Sequence, residues 1–340
     1  MNLIQRTSQH RGRAVAAMVV VATLSACVAD QPTAPSTTLT TTASAVIGAP
    51  KPNCWPKCPA SGGILYVKGD TTLKIGRIWV KTTSSEAQLT FGNGDDDQPT
   101  WSPDYQKVAF ISKRRGNWEI FSMNADGSGQ TPLTTSMAGS WDDHPSWSPD
   151  GTRIYFAHVT PDPVSLTYHS EVYSVKPNGT GVTKVSNSPN ANLYDPSVSP
   201  DGKKILVTRM TTNNVTSGHL FTINTSGGSL TPITNTTLGE GMGAWSPDGS
   251  KIAFIINNGA PDYRELATVN ADGTALTVIL ERVGSQEHPS WAPDGGRIVF
   301  VDFGVNKWGW LFTVKPDGTG LTQLEDPLDV GSYYSPMWSR

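Results

Sequence analysis

The feature that most constrains the fold is a motif that recurs six times. Trp-Ser-Pro-Asp begins at Trp101, Trp147 and Trp245, and variants of it begin at Val198, Trp291 and Trp338. Successive copies lie 46, 51, 47, 46 and 47 residues apart. Repetition at so regular a period indicates an architecture in which every copy is one supersecondary unit stacked against its neighbours.

Each unit predicts four short strands. The first strand carries the Trp, and Ser-Pro-Asp-Gly then suits a tight turn, because Pro fixes φ and Gly accepts a positive φ. In one unit, a second strand is predicted at residues 107–110, an alternating third strand at 119–123 and a short fourth strand near Leu133. Four antiparallel strands per repeat are typical of a β-propeller blade.

The two ends of the repeat region complement each other. The region opens at Gly62 with a segment that matches a second strand, and the last copy, at Trp338, has no second strand after it. We expect residues 336–339 to pair beside Ile64, because that pairing removes an exposed sheet edge. The predicted fold class is therefore all-β: a six-bladed β-propeller with four antiparallel strands per blade, closed by the C-terminal strand joining the N-terminal blade.

The first 26 residues are typical of an export signal. Three arginines precede an apolar run at residues 14–24, which is too short to span a bilayer as a helix. The run ends in Leu24-Ser25-Ala26-Cys27, which resembles the bacterial lipobox and implies a lipid on Cys27. An ordinary signal peptide with a chance cysteine is the alternative.

Residues 27–61 are rich in Thr, Ser, Pro and Ala, so we expect a disordered tether. Cys54 and Cys58 lie at its end. In an oxidising compartment they predict a local disulfide, whereas a structural zinc site would need about four ligands. Whether the two cysteines are bonded is left open by the sequence.

The repeated pattern Pro-x-Trp-Ser-Pro-Asp-Gly-x-x-Ile-x-Phe, followed by a strand and then Asn-Ala-Asp-Gly-Ser-Gly, resembles the repeat of TolB-type propellers, which are relatives of WD-repeat proteins. The resemblance covers residues 62–340. It implies the propeller fold, whereas propellers host many different activities.

Acidic residues and histidines precede the first strand of several blades. If the blades converge there, these residues ring one mouth of the central channel and suit a basic peptide or a cation such as Ca²⁺. The alternative role for these acids is to cap hairpins or to bond backbone amides between blades. No other cofactor is predicted. The candidates are Asp96, Asp97, Asp142, Asp143, His144, Asp195, Glu240, Glu287 and His288.

The two histidines occupy equivalent positions three blades apart, so we expect them on opposite sides of the channel. Two imidazoles with neighbouring acids could ligate a transition metal, but that separation favours hydrogen-bonding histidines. Aromatic residues in the longer loops predict a platform for sugar rings or for a protein hot spot, with packing between blades as the alternative. The candidates are Trp118, Tyr168, Tyr263 and Trp308.

The net charge of −3 gives no basic footprint for nucleic acid. Gly-x-Ser-x-Gly, His-Glu-x-x-His and phosphate-binding loops are missing from the sequence, so we predict a non-enzymatic protein. The predicted function is a monomeric envelope lipoprotein that binds a protein or peptide. The alternative is a carbohydrate-binding or lyase-like propeller. The protein's only membrane contact would be its lipid anchor. In a Gram-negative host this anchor would lie in the outer membrane, with the protein facing the periplasm or the exterior.

Overall fold

The computed structural model describes residues 63–70, 75–162, 167–189, 191–211, 218–257, 259, 263–304, 309–324 and 332–338. The predicted export signal and tether, with Cys27, Cys54 and Cys58, lie outside these residues, as does Trp308. Within the described ranges, no helix is long and apolar enough to span a bilayer.

The described residues form six four-stranded antiparallel sheets, numbered here as blades in chain order. Blade 1 contains β24 (Tyr333–Trp338), β1 (Ile64–Asp70), β2 (Ile75–Lys81) and β3 (Glu86–Gln88). Blade 2 contains β4 (Asp96–Trp101), β5 (Lys107–Ser112), β6 (Glu119–Asn124) and β7 (Thr131–Pro132). Blade 3 contains β8 (Trp141–Trp147), β9 (Ile154–Asp162), β10 (Thr167–Val175) and β11 (Thr183–Lys184).

The remaining three blades repeat the same order. Blade 4 contains β12 (Ala191–Val198), β13 (Lys204–Thr211), β14 (His219–Asn224) and β15 (Thr231–Pro232). Blade 5 contains β16 (Glu240–Trp245), β17 (Lys251–Asn257), β18 (Arg264–Asn270) and β19 (Thr277–Leu280). Blade 6 contains β20 (Gln286–Trp291), β21 (Ile298–Asp302), β22 (Trp310–Val314) and β23 (Thr322–Gln323).

The C-terminal strand closes the ring, as the sequence predicted. In blade 1 the strand order is β24-β1-β2-β3, and Ile64 of β1 lies opposite Trp338 of β24. The last strand therefore takes the innermost position that β4, β8, β12, β16 and β20 occupy in the other blades. This pairing satisfies the backbone groups of β1 that an open ring would leave as a free edge.

The core lies between adjacent blades. Where the second-strand motif ends in an aromatic residue, that residue is buried, as at Phe110, Phe254 and Phe300. The motif residues Trp245 and Trp291 link neighbouring blades, because Trp245 Nε1 donates to the Ser197 carbonyl and Trp291 Nε1 to the Ala244 carbonyl, both at 3.1 Å. Large apolar rings with one polar edge suit this position, since the ring is buried and the N–H still finds an acceptor.

Candidate functional site

Every innermost strand is interrupted at the same place. The pairing register with the second strand shifts by one residue, as between Asp97 and Thr100 in β4 and between Asp143 and Ser146 in β8. At each shift one residue adopts a φ between 46° and 55°, the left-handed region that non-glycine residues rarely enter. These six residues, which we call the axial ring, are Gln98, His144, Asp195, Met242, His288 and Ser335.

The axial ring forms the floor of a cavity of about 340 Å³ on the propeller axis. From this floor the cavity follows the innermost strands outwards and reaches the turn prolines of four blades, among them the exposed Pro103 and Pro149. Its wall is mainly apolar, with prolines next to the ring and the motif residues Trp101, Trp147 and Trp245 farther out. The cavity therefore opens on the face of the Ser-Pro-Asp-Gly turns, opposite the loop face where the sequence placed the channel mouth.

The two ring histidines meet across the axis. His144 of blade 3 and His288 of blade 6 stand in opposite blades, and their rings stack with centroids 5.7 Å apart and planes inclined by 19°. The channel is so narrow here that opposite sides are in contact. Because the rings face each other, their in-plane nitrogen lone pairs do not converge on one point. In the part of the chain that is described, no group of three or more His, Cys, Asp or Glu residues is arranged to hold a metal ion.

Hydrogen bonds and close polar contacts connect axial-ring residues of neighbouring blades. His144 donates its backbone N–H to Gln98 Oε1 at 2.7 Å, and His144 Nε2 lies 3.3 Å from Asp195 Oδ1. The other Asp195 oxygen accepts from the Thr208 hydroxyl at 2.8 Å and from the Met242 N–H at 3.2 Å. The floor is thus a network whose members belong to different blades.

Asp97 joins this network from the position before Gln98. Asp97 Oδ1 accepts from the Ser335 hydroxyl and from the Gln98 N–H, both at 2.7 Å. Burial raises the pKa of Asp97, although the Ser335 hydrogen bond and the nearby His288 oppose that effect. Burial also lowers the pKa of His288, which Glu287 partly offsets.

Asp195 lines the cavity, whereas six of the predicted mouth acids do not. Asp96, Asp142 and Glu240, which we call the lock acids, lie two residues before the axial ring and are buried. Asp96 pairs with Arg114 at 2.7 Å. They hold side chains of neighbouring strands and loops.

The other two lock acids bind a histidine and two hydroxyls each. Asp142 accepts from Ser136 at 3.2 Å and from Thr134, and it lies 2.6 Å from His158 Nδ1. Glu240 is held in the same way by His219, Thr234 and Thr236. The hydroxyls of Thr134 and Thr234 also accept a backbone N–H from the third strand, so Asp142 and Glu240 each tie the segment that follows a fourth strand to the first strand of the next blade.

Asp143 and Glu287 complete the predicted set, one position before the ring histidines. Asp143 Oδ1 lies 3.0 Å from His144 Nδ1, and Glu287 Oε2 lies 4.0 Å from His288 Nε2. The structure therefore brings Asp97, Asp143, Asp195 and Glu287 close to the histidine pair, and of these four acids Asp195 lines the cavity.

The aromatic candidates are distributed over different blades. Trp118 packs against the core cluster that contains Trp147. Tyr168, which is 37% exposed, contacts Trp141 at a centroid distance of 4.7 Å, and Tyr263 is half-buried beside blade 5. The proposed sugar platform stays a prediction, because Trp308 lies outside the described residues.

Sequence reasoning missed Gln98, Met242 and Ser335 as members of the ring. The signal was present, because each ring residue stands directly before the Pro or Gly that precedes the motif by two positions. Acidic and aromatic residue types drew attention to the neighbouring positions instead. The position of a residue within the repeat therefore predicts membership of the axial ring better than its residue type does.

The sequence profile of the TolB beta propeller domain matches residues 59–294 and 164–340. This chain belongs to the TolB beta-propeller family. Among solved structures, TolB from Acinetobacter baumannii superimposes with a TM-score of 0.70 at 21% identity, covering 82% of this chain and 67% of that one. A TolB-type protein from Agrobacterium tumefaciens gives a TM-score of 0.60 at 17% identity, covering 78% and 89%.

A further relative is an uncharacterized protein, Atu1656, from Agrobacterium fabrum. It is 39% identical over 56 residues, which are 16% of this chain and 19% of that protein. The match thus spans about a fifth of that relative's length. At their low identities, the structural similarities show the propeller fold alone.

Proposed function

We propose that this protein is a binding module of the bacterial envelope that holds an extended peptide segment of a partner protein in its axial cavity. One observation carries the proposal: equivalent residues of all six blades line a single cavity that opens on one face. The predicted export signal and the lipobox-like sequence at Cys27 support an exported, lipid-anchored module.

The dimensions of the cavity favour a segment of chain over a folded surface. A volume of about 340 Å³ lies at the small end of ligand pockets, so it admits a few side chains and excludes a globular domain. Its apolar wall with a polar floor is the usual composition of a specific binding pocket. The left-handed ring residues add to this argument, because local backbone strain is concentrated at ligand-binding positions.

The role is one of binding rather than catalysis. The ring side chains hold one another through contacts such as His144–Asp195 and Ser335–Asp97, so they form a pre-organised recognition surface. No nucleophile motif in the sequence points to covalent chemistry.

Filling the cavity tests this function. Ser197 lines the cavity from β12, so Ser197→Phe places a ring in the space that the peptide would occupy. Linear peptides selected from a display library against the native protein should bind this variant at least tenfold more weakly. The matched control is Val182→Phe, because Val182 is 53% exposed on an outer hairpin, away from the cavity lining.

Calorimetry measures both affinities, and thermal unfolding checks that both variants are folded. Equal affinities for the two variants would exclude the cavity as the binding site. A glycan array and assays against polysaccharides are run in parallel. Binding or turnover of a sugar that Ser197→Phe abolishes would replace the peptide with a carbohydrate ligand.

A further inference from the structure

The described part of the chain begins at the rim of the axial cavity. Gly63, its first residue, accepts a hydrogen bond from Trp101 Nε1 through its carbonyl oxygen at 3.2 Å. The next residue, Ile64, lies opposite Trp338 of β24. Trp101 and Trp338 both line the cavity. The chain therefore enters blade 1 directly beside two residues of the cavity wall.

This entry point lies on the face where the cavity opens. In blades 2 to 6 a short turn joins the first strand to the second, as residues 102–106 join β4 to β5. In blade 1 the corresponding strands, β24 and β1, come from opposite ends of the chain. Gly63 thus stands where the other blades have the end of this turn. The residues directly before Gly63 are joined to the propeller at the mouth of the cavity.

The residues before Gly63 have a composition that suits the cavity. We call residues 49–62, which lie outside the described residues, the leading segment. Trp55 is its one large apolar side chain, and it has no acidic residue. An indole fits a wall made mainly of prolines and indoles, because it buries a large apolar area there. The segment also has four prolines, which reduce the conformational freedom lost on docking; they are Pro50, Pro52, Pro56 and Pro59.

The polar groups of the cavity floor do not require a polar ligand. Gln98 uses both ends of its amide on His144, since Oε1 accepts the backbone N–H and Nε2 lies 3.1 Å from the imidazole. The Asp195 oxygens contact His144, the Thr208 hydroxyl and the Met242 N–H. Because these groups already have partners within the protein, an apolar side chain above them leaves no new polar group unsatisfied.

The chain is long enough for Trp55 to reach the cavity. Seven residues, 56–62, separate Trp55 from Gly63. An extended chain spans at most about 3.5 Å per residue, so this linker covers up to about 25 Å. Trp101 contacts Gly63 and also lines the cavity, so the wall begins within one side chain of the anchor point. A short linker also gives a millimolar effective concentration, which populates even a weak contact.

We propose that the leading segment docks into the axial cavity with Trp55 against the apolar wall, and that a partner peptide must displace it. This inference rests on the proposed function, because it names a regulator of the same cavity. A tethered occupant lowers the apparent affinity for the partner in proportion to the fraction of molecules whose cavity is free.

Methionine methyl resonances test the docking in the native protein. Met242 lies in the cavity floor, whereas Met137 is 76% exposed and lies away from the cavity lining. An indole in the cavity shifts the Met242 methyl resonance through its ring current. Trp55→Ala should therefore move the Met242 resonance and leave that of Met137 unchanged. Asn53→Ala, the matched control in the same segment, should move neither.

The same variants are then compared in calorimetry with the library peptides. If the leading segment occupies the cavity in about two thirds of the molecules, Trp55→Ala should bind these peptides about threefold more tightly. Asn53→Ala should bind them as the native protein does. A synthetic peptide of residues 49–62, added to the Trp55→Ala protein, should return the Met242 resonance toward its native position. Ser197→Phe combined with Trp55→Ala should abolish that return.

An unchanged Met242 resonance in Trp55→Ala would overturn the inference. So would a native Met242 resonance that moves with protein concentration, because the occupant would then be the leading segment of a second copy. If library peptides bind, are blocked by Ser197→Phe and are insensitive to Trp55→Ala, the proposed function stands and the docking fails. If no library peptide binds while Trp55→Ala still moves the Met242 resonance, the docking stands and the partner function fails.

Discussion

Asp142 and His144 stand two residues apart on the same strand and have opposite environments. Asp142, a lock acid, is buried and is held by hydrogen bonds to nearby side chains. His144, in the axial ring, lines the cavity and stacks on a histidine of the opposite blade. The same contrast holds for Asp96 against Gln98 and for Glu240 against Met242.

In a regular strand, residues two apart face the same side. The one-residue register shift breaks this rule, because a bulge re-aims the side chain at which it occurs. The comparison therefore separates two tasks that similar residue types perform on one strand. Lock acids maintain the assembly of the blades, and ring residues form the binding floor at a cost in backbone strain.

The largest effect is expected when blade 1 loses its closing strand, because this strand carries both the position equivalent to a lock acid and a residue of the axial ring. Deletion of residues 333–340 takes away the buried Tyr333 and the ring residue Ser335 together with the closing strand. We expect an open, aggregating chain, because β1 becomes a free edge. A circular permutant that places residues 332–338 before Ile64 through a Ser-Pro-Asp-Gly turn should restore a native melting temperature. Unchanged melting of the deleted chain would contradict closure.

Substitution of a lock acid should lower stability and spare the cavity. Asp142→Ala leaves His158, Thr134 and Ser136 without their buried acceptor, and should cost about 3 kcal/mol of unfolding free energy. The adjacent Asp143→Ala, next to the ring, should cost less than Asp142→Ala, because the Asp143 side chain keeps part of its surface exposed. Urea denaturation measures both. Similar losses would mean that the two positions are not distinct.

Substitution of a ring histidine should show the smallest effect, with a particular pH dependence. Burial lowers the pKa of His288, so the unfolded chain binds a proton that the folded protein resists, and the native protein loses stability as pH falls through the unfolded pKa near 6.5. His288→Asn removes that loss and suits the left-handed backbone. The difference in melting temperature, variant minus native, should be more positive at pH 5 than at pH 7.5, on the order of 2 °C. An identical difference at both pH values would exclude this coupling.

Much of the fold could be predicted from local patterns. The spacing of the Trp motif gave the number of blades, and the turn residues gave the hairpins, because each blade is built from contacts close in sequence. The missing first strand before Ile64 and the unpaired copy at Trp338 together required closure of the ring. The candidate site was only partly predicted, since acidic residues next to one another in sequence proved to have different roles.

The sequence by itself determined the repeating unit, because turn chemistry and alternation act within a few residues. Only the tertiary structure decided which side chain of each innermost strand reaches the axis, since that depends on a bulge whose left-handed residue is held by groups from neighbouring blades, as Gln98 holds His144. It also decided that His144 and His288, 144 residues apart in the chain, come into contact, because six inward strands leave only a narrow space at the centre.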